Sequence, residues 1–252
     1  MTDLGAGNFP NTLSRHASAG SRRGDPTKRL GTDMNIDDAW QAIDTQRLRV
    51  ADLLEELTDE EWRAPSLCGG WTVRDVAAHL TLQQTGPGAA LRMAARSPGG
   101  MKRVIHRSAC LRAEMPIEQM IAEIRGMVGS RKHNVGVTYR ETLIDILVHG
   151  LDIAIPLDRP LETSTDAAAV AADRVWSVAF PSFGYPFFPR KRLRGLRLTA
   201  SDADWSVGEG VPVDGPMDAI LLLLTGRTAA VEWLSGEGTR VLRDGLVPTQ
   251  EP

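Results

Sequence analysis

Residues 71–80 read WTVRDVAAHL and residues 145–149 read DILVH, and these two stretches determine the fold that we predict. The first places His79 on an apolar helix, and the second places Asp145 and His149 four residues apart. Residues four apart on a helix lie on one face, about one turn from each other. Asp145 and His149 can therefore bind one ion from the same side, with His79 completing the site from a facing helix.

The three side chains form a ligand set typical of a metal site. Two imidazoles and a carboxylate suit zinc or a similar divalent ion, and three protein ligands leave a position open for water or substrate. The alternative for His79 taken alone is a histidine packed in the core or at its rim, which is the commoner situation. Asp145 favours the metal site, because a carboxylate within the apolar run 143–148 is costly to bury unless it is paired or binds a metal.

Composition limits the classes of partner. The chain has 252 residues, 42% of them hydrophobic, and a net charge of -3, which suits one large or two small domains and gives no electrostatic footprint for nucleic acid or an anionic membrane. Cys68 and Cys110 are too few for a disulfide framework. The longest apolar run, residues 219–224, is far shorter than the roughly 20 residues of a membrane helix. We expect a soluble cytoplasmic protein, a monomer or weak homo-oligomer, with small-molecule partners.

The pattern changes twice along the chain. Residues 1–33, rich in glycine, serine and basic side chains, predict a disordered tail, although a translation start at Met34 is the simpler explanation. Residues 34–180 have the helical period and predict a metal-binding bundle of four or five helices. The proline-rich stretch 181–189 indicates a linker, and residues 190–246 predict a small α+β domain. The predicted fold class is mainly α, a four-helix bundle followed by this C-terminal domain.

Local signals predict the helix boundaries. Thr58 with Glu61 has the capping-box pattern, and Thr72 with Asp75 predicts the start of the helix that carries His79. The other predictions are a first long helix from Asn35, a mixed segment with a basic face over 89–115, a helix from Pro116, a helix over about 138–154 that buries a polar site, and a further helix over 164–180.

The C-terminal segment alternates strand and helix signals. Residues 196–200 alternate as a strand does, and residues 205–207 are a plausible partner strand. A helix begins at Gly215 with Pro216 and ends before Gly226. The basic run 190–194 is either a solvated rim or a surface that attracts an anionic ligand.

Three motifs resemble one family. Residues 64–80, the pattern Asp145-x-x-x-His149-Gly150-x-Asp152, and the tail pattern over 195–227 are similar to those of the mycothiol-dependent maleylpyruvate isomerase family. The resemblance covers nearly all of residues 35–246. It implies a DinB-like four-helix bundle and a C-terminal domain resembling sterol carrier proteins.

The resemblance also implies a chemistry. It implies a divalent metal, typically zinc, held by His79, Asp145 and His149, and mycothiol as the thiol cofactor; the isomerase carries glutamate where this chain has Asp145. A bound metal removes the proton of a thiol near neutral pH. The expected function is a metal-dependent, mycothiol-type thiol isomerase or S-transferase acting on a small organic substrate, for example one bearing a carboxylate. The alternative is a non-catalytic metal-binding or ligand-sensing bundle.

Three further residues have two interpretations each. Cys68 is either a packing residue of its loop, which is the favoured interpretation, or a nucleophile. Asp152 either accepts a hydrogen bond from a metal ligand or caps its helix. Arg227 is either a surface arginine or a contact for a substrate carboxylate. The remaining histidines, His16, His106 and His133, have no partner at ligand spacing and receive no role.

Overall fold

The computed structural model describes residues 34–96, 99–177 and 193–246. The predicted tail and the predicted linker lie outside these ranges. Among the described residues, no helix is both long and apolar enough to span a membrane.

The described residues form a mainly helical fold with one small sheet. The helices are α1 (Ile36–Glu55), α2 (Asp59–Arg63), α3 (Val73–Leu80), α4 (Pro87–Arg96), α5 (Met101–Arg112), α6 (Ile117–Gly126), α7 (Tyr139–Ala154), α8 (Thr165–Ser177), α9 (Met217–Leu224) and α10 (Gly238–Leu246), the strands are β1 (Leu196–Ala200), β2 (Ser206–Gly208) and β3 (Val211–Gly215), and short 3-10 helices cover Ile155–Leu157 and Thr228–Trp233.

The predicted helix starts are confirmed. Capping boxes open α2 at Thr58, α3 at Thr72 and α7 at Thr138, each with the side chain and the backbone bonded reciprocally. The side chain of Asn35 accepts hydrogen bonds from two backbone N–H groups at the start of α1. These caps satisfy donors that a helix start would otherwise leave unpaired.

The prediction of a mixed segment over 89–115 is wrong, because α4 and α5 occupy most of it. No residue of α4 is buried, and Leu91 is 72% exposed. Such a helix depends on the propensity of its alanines, arginines, leucine and methionine and not on the burial of an apolar face.

Four helices form the bundle. Helix α1 packs against α6 and α7, and α3 packs against α7 and α6. Every residue of α7 from Thr142 to Ala154 is buried, as predicted for a helix that encloses a polar site. Gly150 allows a close approach, because a Cβ there would lie 2.9 Å from Leu161 Cδ2 and 3.0 Å from Val50 Cγ2.

The C-terminal segment adds a three-stranded sheet in the order β2-β1-β3. Strand β1 pairs antiparallel with β2, placing Leu198 opposite Val207, and parallel with β3, placing Leu198 opposite Val213. Helix α9 is buried throughout and packs against α8, so one continuous apolar core joins bundle and sheet. The predicted strand pair and helix are confirmed. Strand β3 was missed because Pro212 within it argues against a strand.

A buried carboxylate lies where α9 begins. Asp218 Oδ2 accepts a hydrogen bond from the Thr163 hydroxyl at 2.5 Å, and Oδ1 has no hydrogen-bond partner among the described residues. Burial raises the pKa of Asp218 from 3.8 to about 6, assisted by the charge of Asp202 and opposed by the bond from Thr163. The folded protein therefore retains the Asp218 proton to a higher pH than the unfolded chain.

This difference predicts a pH-dependent effect of Asp218→Asn. Between about pH 4 and pH 6 the folded state binds the proton and the unfolded state releases it, so the free energy of unfolding of the parent falls as pH rises. Asparagine does not titrate. The free energy of unfolding of the variant minus that of the parent should therefore rise across this window by on the order of 1–3 kcal/mol and then level off. Urea unfolding from pH 4 to pH 7 measures it. The exposed Asp204→Asn is the control, and a difference that is constant with pH contradicts the prediction.

Candidate metal centre

The structure brings the three predicted ligands together. His79 comes from α3, and Asp145 and His149 come from α7. Asp145 Oδ1 lies 3.2 Å from His79 Nε2 and 3.4 Å from His149 Nε2. One ligand atom from each of the three side chains lies within 4.8 Å of the others.

These distances fit a four-coordinate ion. Ligand atoms about 2.0 to 2.2 Å from a tetrahedral centre are about 3.3 to 3.6 Å apart. The side chains of His79 and His149 are 15% and 11% exposed, whereas that of Asp145 is 6% exposed. The site therefore has its acid inside the bundle and its imidazoles toward solvent, where a further ligand could approach.

Asp152 determines which nitrogen of His149 faces the site. His149 Nδ1 lies 2.8 Å from Asp152 Oδ2, and a carboxylate can only accept, so Nδ1 carries the proton. In neutral His149 the lone pair of Nε2 then points toward Asp145 Oδ1. Two lone pairs at this separation repel each other unless a proton or a cation lies between them. This arrangement is what a metal-binding histidine with an outer carboxylate partner shows.

Among the residues that the structure describes, His79 has no such outer partner. Its Nδ1 is buried and has no hydrogen-bond partner among the described residues. Its Nε2 therefore either donates to Asp145 Oδ1 or, when deprotonated, binds an ion. The chemistry of the donor set fits a divalent cation at all three ligand atoms, with His149 the more firmly oriented of the two histidines.

Arg227 holds Asp152 from the C-terminal segment. Its Nε and Nη2 donate to the two Asp152 carboxylate oxygens at 3.0 and 2.5 Å, and its Nη1 donates to the Thr225 carbonyl. Burial acts to raise the pKa of Asp152, but the charge of Arg227 and hydrogen bonds from Arg227 and His149 outweigh it and lower that pKa. Asp152 is thus a hydrogen-bond acceptor and not a helix cap. The expectation of a surface arginine at 227 is wrong, because that side chain is only 9% exposed.

Sequence reasoning missed Gln83 and Arg47. Gln83 Nε2 donates to Asp145 Oδ2 at 2.8 Å, and the guanidinium of Arg47 lies 3.4 Å from Gln83 Oε1. Burial acts to raise the pKa of Asp145, but the charges of His79 and His149 and its hydrogen bonds outweigh it and lower that pKa. The only sequence signal for Gln83 is its place one turn after His79.

Trp71 forms a wall of the site. Its ring is stacked parallel to that of His149 at 6.4 Å between centroids, and it meets the ring of His79 edge-on at 5.4 Å. His106 of α5 contacts the same indole edge-on at 5.8 Å. His106, one of the histidines that received no role from spacing, therefore contacts the same indole as His79 and His149.

Cys68 lies next to this cluster. Its Sγ could join His149 and Asp152 in a second group of ligand atoms within 4.8 Å of one another. Burial, with the negative charge of Asp152, raises the pKa of the Cys68 thiol to about 11. At neutral pH it is therefore protonated, and a thiol is a weak nucleophile and a weak ligand. This supports the interpretation of Cys68 as a packing residue.

Comparison with known proteins gives the same family as the motifs. Residues 43–133 match the family model of the mycothiol maleylpyruvate isomerase N-terminal domain. The match covers the part of the helical bundle that begins within α1 and ends after α6. The matched segment contains His79, whereas Asp145 and His149 lie beyond it in the sequence.

Two solved structures of maleylpyruvate isomerase share the fold. A histidine-to-alanine mutant of the mycothiol-dependent maleylpyruvate isomerase is similar with a TM-score of 0.53 and 11% identity, over 83% of this chain and 95% of that one. A second structure of the mycothiol-dependent maleylpyruvate isomerase has a TM-score of 0.50 and 12% identity, over 78% and 91% of the chains. A comparison with curated proteins found no match.

The buried pair of Arg227 and Asp152 predicts a large effect of Arg227→Met. Methionine keeps the apolar packing but leaves the Asp152 carboxylate buried without its cation, which should lower the free energy of unfolding by about 3–5 kcal/mol. Urea unfolding at neutral pH measures it. Adding Asp152→Asn should recover part of the loss, because the neutral amide no longer needs a cation.

The matched control is Arg240→Met, which replaces an exposed arginine of the same C-terminal segment. We expect its free energy of unfolding to stay within about 0.5 kcal/mol of the parent. Equal losses for Arg227→Met and Arg240→Met would show that the buried pair does not join the two parts of the fold.

Proposed function

We propose that this chain is a metal-dependent, mycothiol-type thiol isomerase or S-transferase. In this proposal His79, Asp145 and His149 hold a divalent metal, and that metal is zinc. The observation that carries the proposal is the orientation of His149. Its Nδ1 proton is held by Asp152, so in the neutral imidazole the Nε2 lone pair points at a carboxylate oxygen 3.4 Å away. A cation at this point removes the repulsion and uses all three ligands.

The metal would supply one chemical function, the lowering of the pKa of a thiol that coordinates it. The chain's own residues hold and shield the place where this occurs. Asp152 and Arg227 orient His149, and Trp71 covers one side of both imidazoles. Partial exposure of His79 and His149 leaves a route for the thiol and for its acceptor.

The family of the bundle supports mycothiol as the thiol. Both structural neighbours are named mycothiol-dependent, and the bundle matches the N-terminal domain model of the same group. A small organic acceptor is the second partner, with activated-thiolate addition or displacement as the reaction class. We place the protein in the cytoplasm, where low-molecular-weight thiols are kept reduced.

The role of Arg227 as a contact for a substrate carboxylate stays a prediction. All three guanidinium nitrogens already donate to Asp152 or to the Thr225 carbonyl. A substrate could reach Arg227 only by displacing one of these bonds. We propose that the bundle (34–180) supplies the ligands and that the C-terminal part (190–246) supports them through Arg227.

The test is His149→Ala. The variant should lose stoichiometric zinc, measured by elemental analysis after dialysis, while its far-UV circular dichroism stays close to that of the parent. Activity with maleylpyruvate and mycothiol, followed by the ultraviolet absorption of the substrate, should fall at least 100-fold in any assay where the parent turns over. The exposed His133→Ala is the control for removal of a histidine and should keep both metal and activity.

The same protein distinguishes catalysis from a structural metal. A catalytic site has a position that exchanges, so titration of mycothiol into the Co²⁺-substituted parent should change the visible spectrum of the metal. A parent that binds metal but shows no spectral change with thiol favours the non-catalytic bundle. Equal zinc content in His149→Ala and the parent refutes the proposed ligand set.

A further inference from the structure

The two oxygens of the Asp145 carboxylate have different surroundings. Oδ1 faces the Nε2 atoms of His79 and His149 at 3.2 and 3.4 Å. Oδ2 instead accepts a hydrogen bond from Gln83 Nε2 at 2.8 Å. One oxygen is therefore turned to the site, and the other is turned into the bundle.

The orientation of the Gln83 amide follows from its neighbours. Arg47 can only donate, so the amide oxygen must face it, and the amide nitrogen then faces the carboxylate of Asp145. Arg47 has a fully buried side chain and is itself held by the Asp44 carboxylate at 3.2 Å and the Met127 carbonyl at 2.9 Å. Gln83 is 3% exposed, so water does not compete for either end of the amide.

This network restricts how Asp145 can bind an ion. A free carboxylate can rotate and coordinate through both oxygens, which fills an additional position around the metal. Here the hydrogen bond from Gln83 occupies Oδ2 on the side away from the histidines. Rotation toward two-oxygen coordination would break that bond and leave a buried amide unpaired.

We propose that Gln83, fixed by Arg47, is a positioning residue that limits Asp145 to one coordinating oxygen and thereby keeps a metal position open for the thiol. The inference rests on the proposed metal site and adds a residue that the ligand motif does not contain. Gln83 does not touch the ion. Its effect reaches the metal through the angle and the available oxygens of Asp145.

The experiment compares Gln83→Met with Gln84→Met. Methionine has nearly the length of glutamine but cannot donate to Asp145. Gln84 is adjacent in the chain, and its Oε1 accepts a hydrogen bond from the Ser130 hydroxyl at 3.2 Å, away from the ligands. Zn²⁺ affinity is measured by competition with a chelator, and the coordination of Co²⁺ by its visible absorption, which weakens as ligands are added beyond four.

We expect Gln83→Met to raise the Kd for Zn²⁺ by about 10–100-fold. Its Co²⁺ absorption should weaken as Asp145 gains freedom to coordinate through both oxygens, and added mycothiol should change the spectrum less than in the parent. Gln84→Met should match the parent in all three measurements. A loss of packing alone could weaken affinity but would not move the Co²⁺ spectrum toward higher coordination.

The outcomes separate this inference from the proposed function. If the parent binds Zn²⁺ and Gln83→Met has the same affinity and the same Co²⁺ spectrum, the positioning role is overturned and the metal site stands. A parent that binds no metal overturns both. If Gln83→Met does not fold, Gln83→Asn replaces it, because the shorter amide cannot bridge Arg47 and Asp145, and the same spectrum decides the question.

Discussion

The carboxylate of Asp145 in the middle of a buried helix is the constraint on which the rest of the structure depends. A charge in this position is costly unless hydrogen bonds and opposite charges compensate it. The compensation comes from two directions, the imidazoles on one side and the Gln83 amide on the other. Helices α3 and α7 must therefore pack in one register, because a shift of either would separate Asp145 from its partners.

Two buried arginines connect Asp145 and His149 by hydrogen bonds to the rest of the fold. Arg47 of α1 reaches Asp145 through Gln83, and Arg227 of the C-terminal segment reaches His149 through Asp152. The first path ends on the Asp145 oxygen that is turned away from the histidines, and the second ends on the His149 nitrogen that is turned away from Asp145. The site is thus coupled to α1 and to the segment after α9, although neither supplies a ligand. Buried polar networks of this kind stabilise one arrangement strongly only when every member is satisfied.

The parts of the fold that the sequence predicted are those that depend on neighbouring residues. Residues close in sequence determine the helix caps at Thr58 and Thr72. They also determine that Asp145 and His149, four residues apart, lie on one face of a helix. That His79 on another helix meets them depended on the packing of two helices, and the family resemblance supported it. Gln83, Arg47 and the buried state of Arg227 could not be read, because each depends on which distant element packs beside it. The helical segments over 89–115 were missed because α4 buries no face.

The two buried carboxylates show how surroundings decide the state of a group. Burial raises the pKa of Asp218 to about 6, because its one hydroxyl donor does not offset the burial and the charge of Asp202 adds to it. Asp145 is buried to a similar degree, but two imidazoles and an amide face it, and its pKa is lowered. Burial alone would raise the pKa of both acids. The bundle has instead arranged donors so that Asp145 keeps its charge, and an interior anion beside two imidazoles is the electrostatic environment that a divalent cation requires.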